Sequence, residues 1–333
     1  MTAAGPWLEG TSGPYRDLVD YILGITHEIW ESRQVERIRD YYADDTLIYT
    51  LGGLVRGASA IVQNTYDTLR AFPDRLLLGD AVVWSRESPG VFYSSHRISS
   101  PMTNRGDSAF GAATGRAVRV TTIADCLVER GVITREWLVR DNHGLVRQLG
   151  FDPLQLARRA AAAPRSAEFE DWLGAESARI AALPAPAKRA AVEWAPASAA
   201  DFALAVLHQA WCGTATPASP YAPYAVLHDS APIASGRAAI AAHHAELHAA
   251  LGDVRIAVDH CCVRPGDDGQ FDVAARWMLR GVHRGDWLGV AATGTPLLVL
   301  GVTHWRLVAG RIAAEWSIYD RMAVLAQMAR ARG

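Results

Sequence analysis

The chain has 333 residues, half of them apolar, with a formal net charge of −2 spread over well-mixed acidic and basic residues. At roughly 150 residues per domain this predicts two domains, each with enough apolar material for a core, and it leaves no electrostatic footprint for nucleic acid or an anionic membrane. No apolar run approaches the roughly 20 residues of a membrane span, the opening MTAAGPWLEG lacks the parts of a signal peptide, and four cysteines without C-x-x-C spacing make no disulfide framework, so free thiols and a cytoplasmic location are expected.

In chain order, Leu18, Ile22, Ile25, Ile29 and Trp30 recur at helical spacing and predict a helix over about 15–34. A short helix over about 35–43 carries Ile38, Tyr41 and Tyr42. The extended piece TLIYTL (46–51) runs to the Gly52-Gly53 turn, and a third helix over about 58–71 follows Gly57. Strand-like runs then occupy about 76–86, 90–100, 115–129 and 132–142, with turns at Pro89-Gly90, Arg105-Gly106-Asp107 and Arg130-Gly131. The turn at Gly106 reads as one in which glycine supplies an unusual backbone angle. Helices first and antiparallel strands afterwards predict an α+β fold with helices on one face of a curved sheet.

The same series recurs. Gly57 and Gly236 stand 179 residues apart, and so do Asp74 and Asp253, Arg97 and Arg276, Arg105-Gly106-Asp107 and Arg284-Gly285-Asp286. At that offset Gly131, Ile133, Glu136, Trp137, Asp141 and Gln148 meet Gly310, Ile312, Glu315, Trp316, Asp320 and Gln327, with no gap from position 57 to 148. Such self-similarity marks a tandem duplication: a first domain over 1–150, an Ala- and Pro-rich helical linker over 151–198, and a second domain over 199–333. The two copies are expected to pair with each other, with a homo-oligomer as a further possibility.

Three segments sharpen this: YYADDTLIYTLGGLVRGASAI, AFPDRLLL and GVITREWLVRDNHGLVRQLG, the last kept in the second copy as GRIAAEWSIYDRMAVLAQM. With the element order, they resemble the nuclear transport factor 2-like superfamily in its SnoaL-like polyketide cyclase branch, over nearly all of 15–150 and 199–330. The resemblance implies two tandem cone-shaped α+β barrels, each with helices packed on a curved, mainly antiparallel sheet. It also implies that the W-x-x-x-D aspartate, here Asp141 and in the second copy Asp320, moves a proton on a carbon next to a carbonyl.

Strand alternation puts Ile133, Trp137 and Asp141 on one face, and Ile312, Trp316 and Asp320 on its equivalent. A carboxylate on an apolar face has a raised pKa and exchanges protons near neutrality; the alternative for Asp141 is a cap on the following helix. His96, whose counterpart is Ala275, points inward with Ile98 by the same parity, leaving Arg97 outward. It reads as a proton-transfer or substrate-orienting partner of Asp141, or as a hydrogen-bonded core histidine. Asp125, aligned with His304 between apolar neighbours, reads as a pocket-lining residue and a third catalytic candidate beside Asp141 and His96, without an assignable direction. Tyr49, Trp137, Trp30 and Tyr42 are candidate substrate walls, and Asp320, His304 and Trp316 are candidates for a second pocket. His243-His244, His260, Cys261 and Cys262 lack metal-ligand spacing, and nothing in the sequence requires a cofactor. The expected function is a cofactor-independent cyclase, isomerase or dehydratase acting on a small apolar carbonyl compound, with the more polar site in the first copy. The rivals are an epoxide hydrolase of the same fold and a non-catalytic small-molecule-binding or assembly module.

Overall fold

The computed structural model of the chain describes residues 14–186, 193–213, 219–229 and 233–331. The opening MTAAGPWLEG lies outside them. The chain divides into two compact units, Met1–Pro153 and Leu154–Gly333.

In the first unit, α1 (Leu18–Trp30) starts at Asp17, whose carboxylate accepts from the Asp20 amide and satisfies one of the free N–H groups of the first turn. Its buried stripe is Leu18, Tyr21, Ile22, Ile25 and Ile29. A 3₁₀ turn (Val35–Arg37) leads into α2 (Ile38–Tyr41), then β1 (Tyr42–Thr50), β2 (Gly53–Arg56) and α3 (Ala58–Ala71). A meander of β3 (Leu78–Ser88), β4 (Val91–Thr103), β5 (Ala117–Glu129) and β6 (Val132–Arg140) follows, and α4 (Asn142–Leu149) closes the unit. The sheet order is β2-β1-β6-β5-β4-β3. Every pair is antiparallel except β1 with β6, because the chain between them passes through α3 and the meander before returning. The sheet is open rather than a closed barrel. Residues of α1, α2 and α3 pack with sheet residues such as Ile48, Phe92 and Ile133 in one core.

The second unit begins with α5 (Pro153–Ala162) and α6 (Ala167–Ala181), followed by α7 (Ala199–Cys212), β7 (Tyr221–His228), β8 (Ala234–Ser235) and α8 (Arg237–Ala250). The strands β9 (Leu251–Pro265), β10 (Phe271–His283), β11 (Pro296–Val308) and β12 (Arg311–Tyr319) follow, ending with α9 (Arg321–Arg330). Its sheet repeats the order of the first, β8-β7-β12-β11-β10-β9. Ala157 of α5 joins its core, and α6 is tied to β9 by Arg179 to Asp259 at 2.9 Å and to β10 by Arg280 to Ser177 at 3.2 Å. The 151–198 segment thus packs with the second unit over most of its length. The repeat extends to side chains: Gln148 bridges α4 to the Arg119 amide and carbonyl, and Gln327 does the same for α9 at Leu298.

One local departure changes the meaning of β6. Cys126 pairs with Glu136 and Leu127 with Arg135, but Val128 pairs with Ile133, which leaves Thr134 as an extra residue. This is a β-bulge, and an extra residue flips side-chain parity beyond it. Ile133, Glu136, Leu138 and Arg140 therefore face the helices together, and Trp137 faces away. The parity expected for Ile133, Trp137 and Asp141 does not hold. Strand β12 carries the same bulge at Ala313, between the Leu307–Ile312 and Arg306–Ala314 pairs.

The Arg105-Gly106-Asp107 turn also differs from expectation. Gly106 and Gly285 are not among the positive-φ glycines; what requires glycine is close approach, since a Cβ would fall on the carbonyl oxygen of Arg70 or of Ala249. Gly106→Ala should therefore destabilise the first unit by more than about 1 kcal/mol, read as a lowered urea midpoint.

Candidate functional site

Between the helices and the sheet of the first unit lies a cavity of about 580 Å³, within the roughly 300–1,000 Å³ of small-molecule sites. Ile22, Ile25 and Ile29 of α1, Ile61 and Thr65 of α3, and Ile98, Leu138 and Ile133 of the sheet form its largely apolar lining. Into it the strands bring a few polar groups: Tyr42 from β1, His96 from β4, Glu136 and Arg140 from β6.

Glu136 is buried, and the Tyr42 hydroxyl donates to its Oε2 at 2.9 Å. Burial raises its pKa from 4.5 to about 7, against the opposing pull of the Tyr42 hydrogen bond and the Arg140 charge. A carboxyl at that value is both a competent acid and a competent base near neutral pH. His96, 4% exposed, has its pKa lowered from 6.5 to about 4 by burial, so its ring is neutral at physiological pH. Among the described residues its Nε2 has no hydrogen-bond partner.

Of the residues singled out from sequence, the cavity gathers His96, Tyr42 and Trp30. The others lie elsewhere. Trp137 stacks on Tyr49 with centroids 5.3 Å apart, with Tyr93 at 6.2 Å; neither Trp137 nor Tyr49 lines the cavity. Asp125 is buried on that same outer face, in register between Ser95 and Trp137. Asp141 is the N-cap of α4, its Oδ1 accepting from the Gly144 amide at 2.9 Å, so the capping alternative describes its position. In the second unit Asp320 caps α9 through the Met322 and Ala323 amides. Trp316 stacks on His228 at 5.1 Å, and His304 lies beside Trp316 in register. Alternation that ignores the bulge puts Glu136 and Arg140 on the wrong face; the recurrence of Glu136 as Glu315 is the sequence signal that marks the acid. The histidines and cysteines of the second copy do not converge: His243 meets Asp229 at 3.0 Å and His260 lies 3.7 Å from Cys262. Among the described residues no group of three or more His, Cys, Asp or Glu side chains could hold a metal ion.

The second unit keeps the acid pair and loses the space. Glu315 accepts from Tyr221 at 2.6 Å and from Trp305 at 2.9 Å, and burial raises its pKa to about 7. The cavity beside it has shrunk to about 10 Å³, roughly one water at most. Trp211, Trp277, Trp305 and Tyr319 fill it. Three substitutions relative to the first copy act as a set. Trp277 stands for Ile98. Thr303 stands for Ala124 and accepts from the Trp277 indole at 2.9 Å. Gly301 stands for Thr122 and leaves room for that indole, since a Cβ there would fall on the ring.

A model of the SnoaL-like polyketide cyclase family matches residues 21–149 and 218–328, once in each unit. No curated protein matches the chain. Similar solved structures include TsrD from Streptomyces laurentii (18% identity, TM-score 0.35, covering 40% of this chain and 93% of that one). IdmH from Streptomyces antibioticus shows 22% identity and a TM-score of 0.34 over 40% and 97%. A SnoaL-like polyketide cyclase from Agrobacterium tumefaciens shows 18% identity and 0.33 over 40% and 97%.

Two outcomes follow from this geometry. The triple variant Ile98→Trp, Thr122→Gly, Ala124→Thr should fill the first cavity as the second is filled; it should abolish binding of the apolar dye anilinonaphthalene sulfonate while folding is retained by circular dichroism. For Glu136, the folded pKa is above the unfolded value, so folding favours the protonated form. Its contribution is full below about pH 4.5 and is lost as pH rises to about 7. Glu136→Gln should accordingly gain stability relative to the native chain across that window, by on the order of 3 kcal/mol, and the gap should level off above it in thermal unfolding at stepped pH.

Proposed function

This chain belongs to the SnoaL-like polyketide cyclase family, and we propose that its first unit is a cofactor-independent acid/base enzyme that moves a proton at a carbon next to a carbonyl of a largely apolar compound. The observation that carries this reading is Glu136: a buried carboxyl with a pKa near 7, held by Tyr42, facing a cavity large enough for a substrate. The ionised carboxylate takes the proton, and the electron pair left behind moves onto the carbonyl oxygen. Neutral His96, with its Nε2 available, hydrogen-bonds that oxygen. The enolate then attacks a second carbonyl, takes its proton back at another carbon, or expels a leaving group, which are the cyclase, isomerase and dehydratase outcomes. Each is redox-neutral.

Asp141 holds the position to which the family resemblance assigns the acid/base. Its carboxylate accepts from the start of α4, and we assign the proton transfer to Glu136 instead. The epoxide hydrolase reading is weaker: it wants two aspartates around an arginine-held water, whereas the aspartates at this cavity, Asp67 and Asp107, are exposed. The second unit, with its cavity filled, is read as a partner domain without turnover.

Incubation with 2-tetralone in deuterated water, followed by proton NMR, tests the assignment. Exchange at the carbons flanking the carbonyl should rise with pH through about 7, fall by roughly 100-fold or more in Glu136→Gln, and change far less in Asp141→Asn. Exchange that survives Glu136→Gln and disappears in Asp141→Asn would return the role to Asp141. Absence of exchange across a panel of aryl ketones would favour the binding-module reading.

A further inference from the structure

We propose that the same cavity contains an anion subsite built on Arg75 and Arg140, and that it anchors a carboxylate of the substrate. This rests on the reading of the first-unit cavity as the substrate site, and it narrows the substrate class to acids with an apolar body.

Arg75 lies in the turn after α3, lines the cavity and is 3% exposed. Its guanidinium stacks over the Trp30 ring at 4.6 Å. Its Nη2 reaches Ser100 Oγ at a long 3.5 Å, and among the described residues its Nε has no hydrogen-bond partner. Glu31 acts on it at longer range, and the Glu31 carboxylate itself accepts from the Leu77 amide at 2.6 Å. A buried cation held this loosely is costly unless something compensates it. Burial and the neighbouring positive charge of Arg140 both work against its charged form, and an anion bound at Arg75 would offset both. The planar guanidinium suits the two oxygens of a carboxylate.

The second copy supplies an independent argument. Where the cavity is filled, Val254 stands for Arg75 and Tyr319 for Arg140, both buried, while the Glu–Tyr pair is kept as Glu315 and Tyr221. The fold therefore does not require the two arginines; they accompany the open cavity. Arg140 acts electrostatically on both Glu136 and Arg75. The anchor and the proton carrier thus line one cavity, so a substrate held by its carboxylate at the arginines would extend its apolar body toward Glu136.

Calorimetric titration of the full chain with 2-naphthoate and with neutral, near-isosteric 2-naphthamide tests this. The acid should bind the native chain at least roughly tenfold more tightly than the amide. Arg75→Met should remove that preference by weakening the acid and leaving the amide within about twofold. Unliganded Arg75→Met should melt at the same temperature or higher, because an uncompensated buried charge has gone. Equal binding of acid and amide, no binding of the acid, an equal loss of both in Arg75→Met, or a lower melting temperature for that variant would each overturn the subsite. Glu136→Gln separates the two proposals: naphthoate binding should survive in it while tetralone exchange is lost.

Discussion

The hydrogen bond from Tyr42 to Glu136 joins the start of β1 to β6, the one parallel pair in an otherwise antiparallel sheet. A carboxyl at that depth is tolerated because it holds its proton up to about pH 7 and because a buried hydroxyl meets it. The second unit makes the same bond between Tyr221 and Glu315. It is therefore an element of the scaffold first, and the rest of each unit is arranged around it. The bulge before it turns the acid toward the helices, and the wall it joins is either left open or packed shut.

That choice separates the two units. Filling the space with Trp277, Trp305 and Tyr319 brings the dense contacts that stabilise a core, and Trp277 is accommodated by an indole acceptor at Thr303 and a missing side chain at Gly301. The first unit forgoes that packing over about 580 Å³ and buries Arg75 as well. Both features cost stability, and the proposed ligand site accounts for both. Two carboxyls with the same pKa thus differ in access: one faces an open cavity and the other a packed core, and on the proposed reading it is access rather than acidity that separates a reactive acid from a structural one.

Much of this was legible in the chain alone. The offset of 179 residues exposed the duplication, the helical spacing located α1, and the limits of α3 at 58–71 were read directly from Gly57 and the pattern after it. His96 was found because its counterpart is Ala275, and alternation held along β4, which has no bulge against β5. The same reasoning failed on β6: a single unpaired residue, Thr134, reverses every side chain after it and carries no compositional mark. Trp137 was read as a cavity wall and packs on the outer face against Tyr49; Glu136, one position earlier, faces the cavity.

The order of apolar, turn and glycine residues determined the tandem α+β architecture and the family, because local periodicity and backbone requirements are properties of short segments. Which carboxylate meets the cavity, whether that cavity is open, and which cations lie inside it were decided only in three dimensions. Register, burial and the fit of an indole against a glycine depend on residues far apart in the chain: Tyr42 with Glu136, Trp277 with Gly301, Arg75 with Arg140.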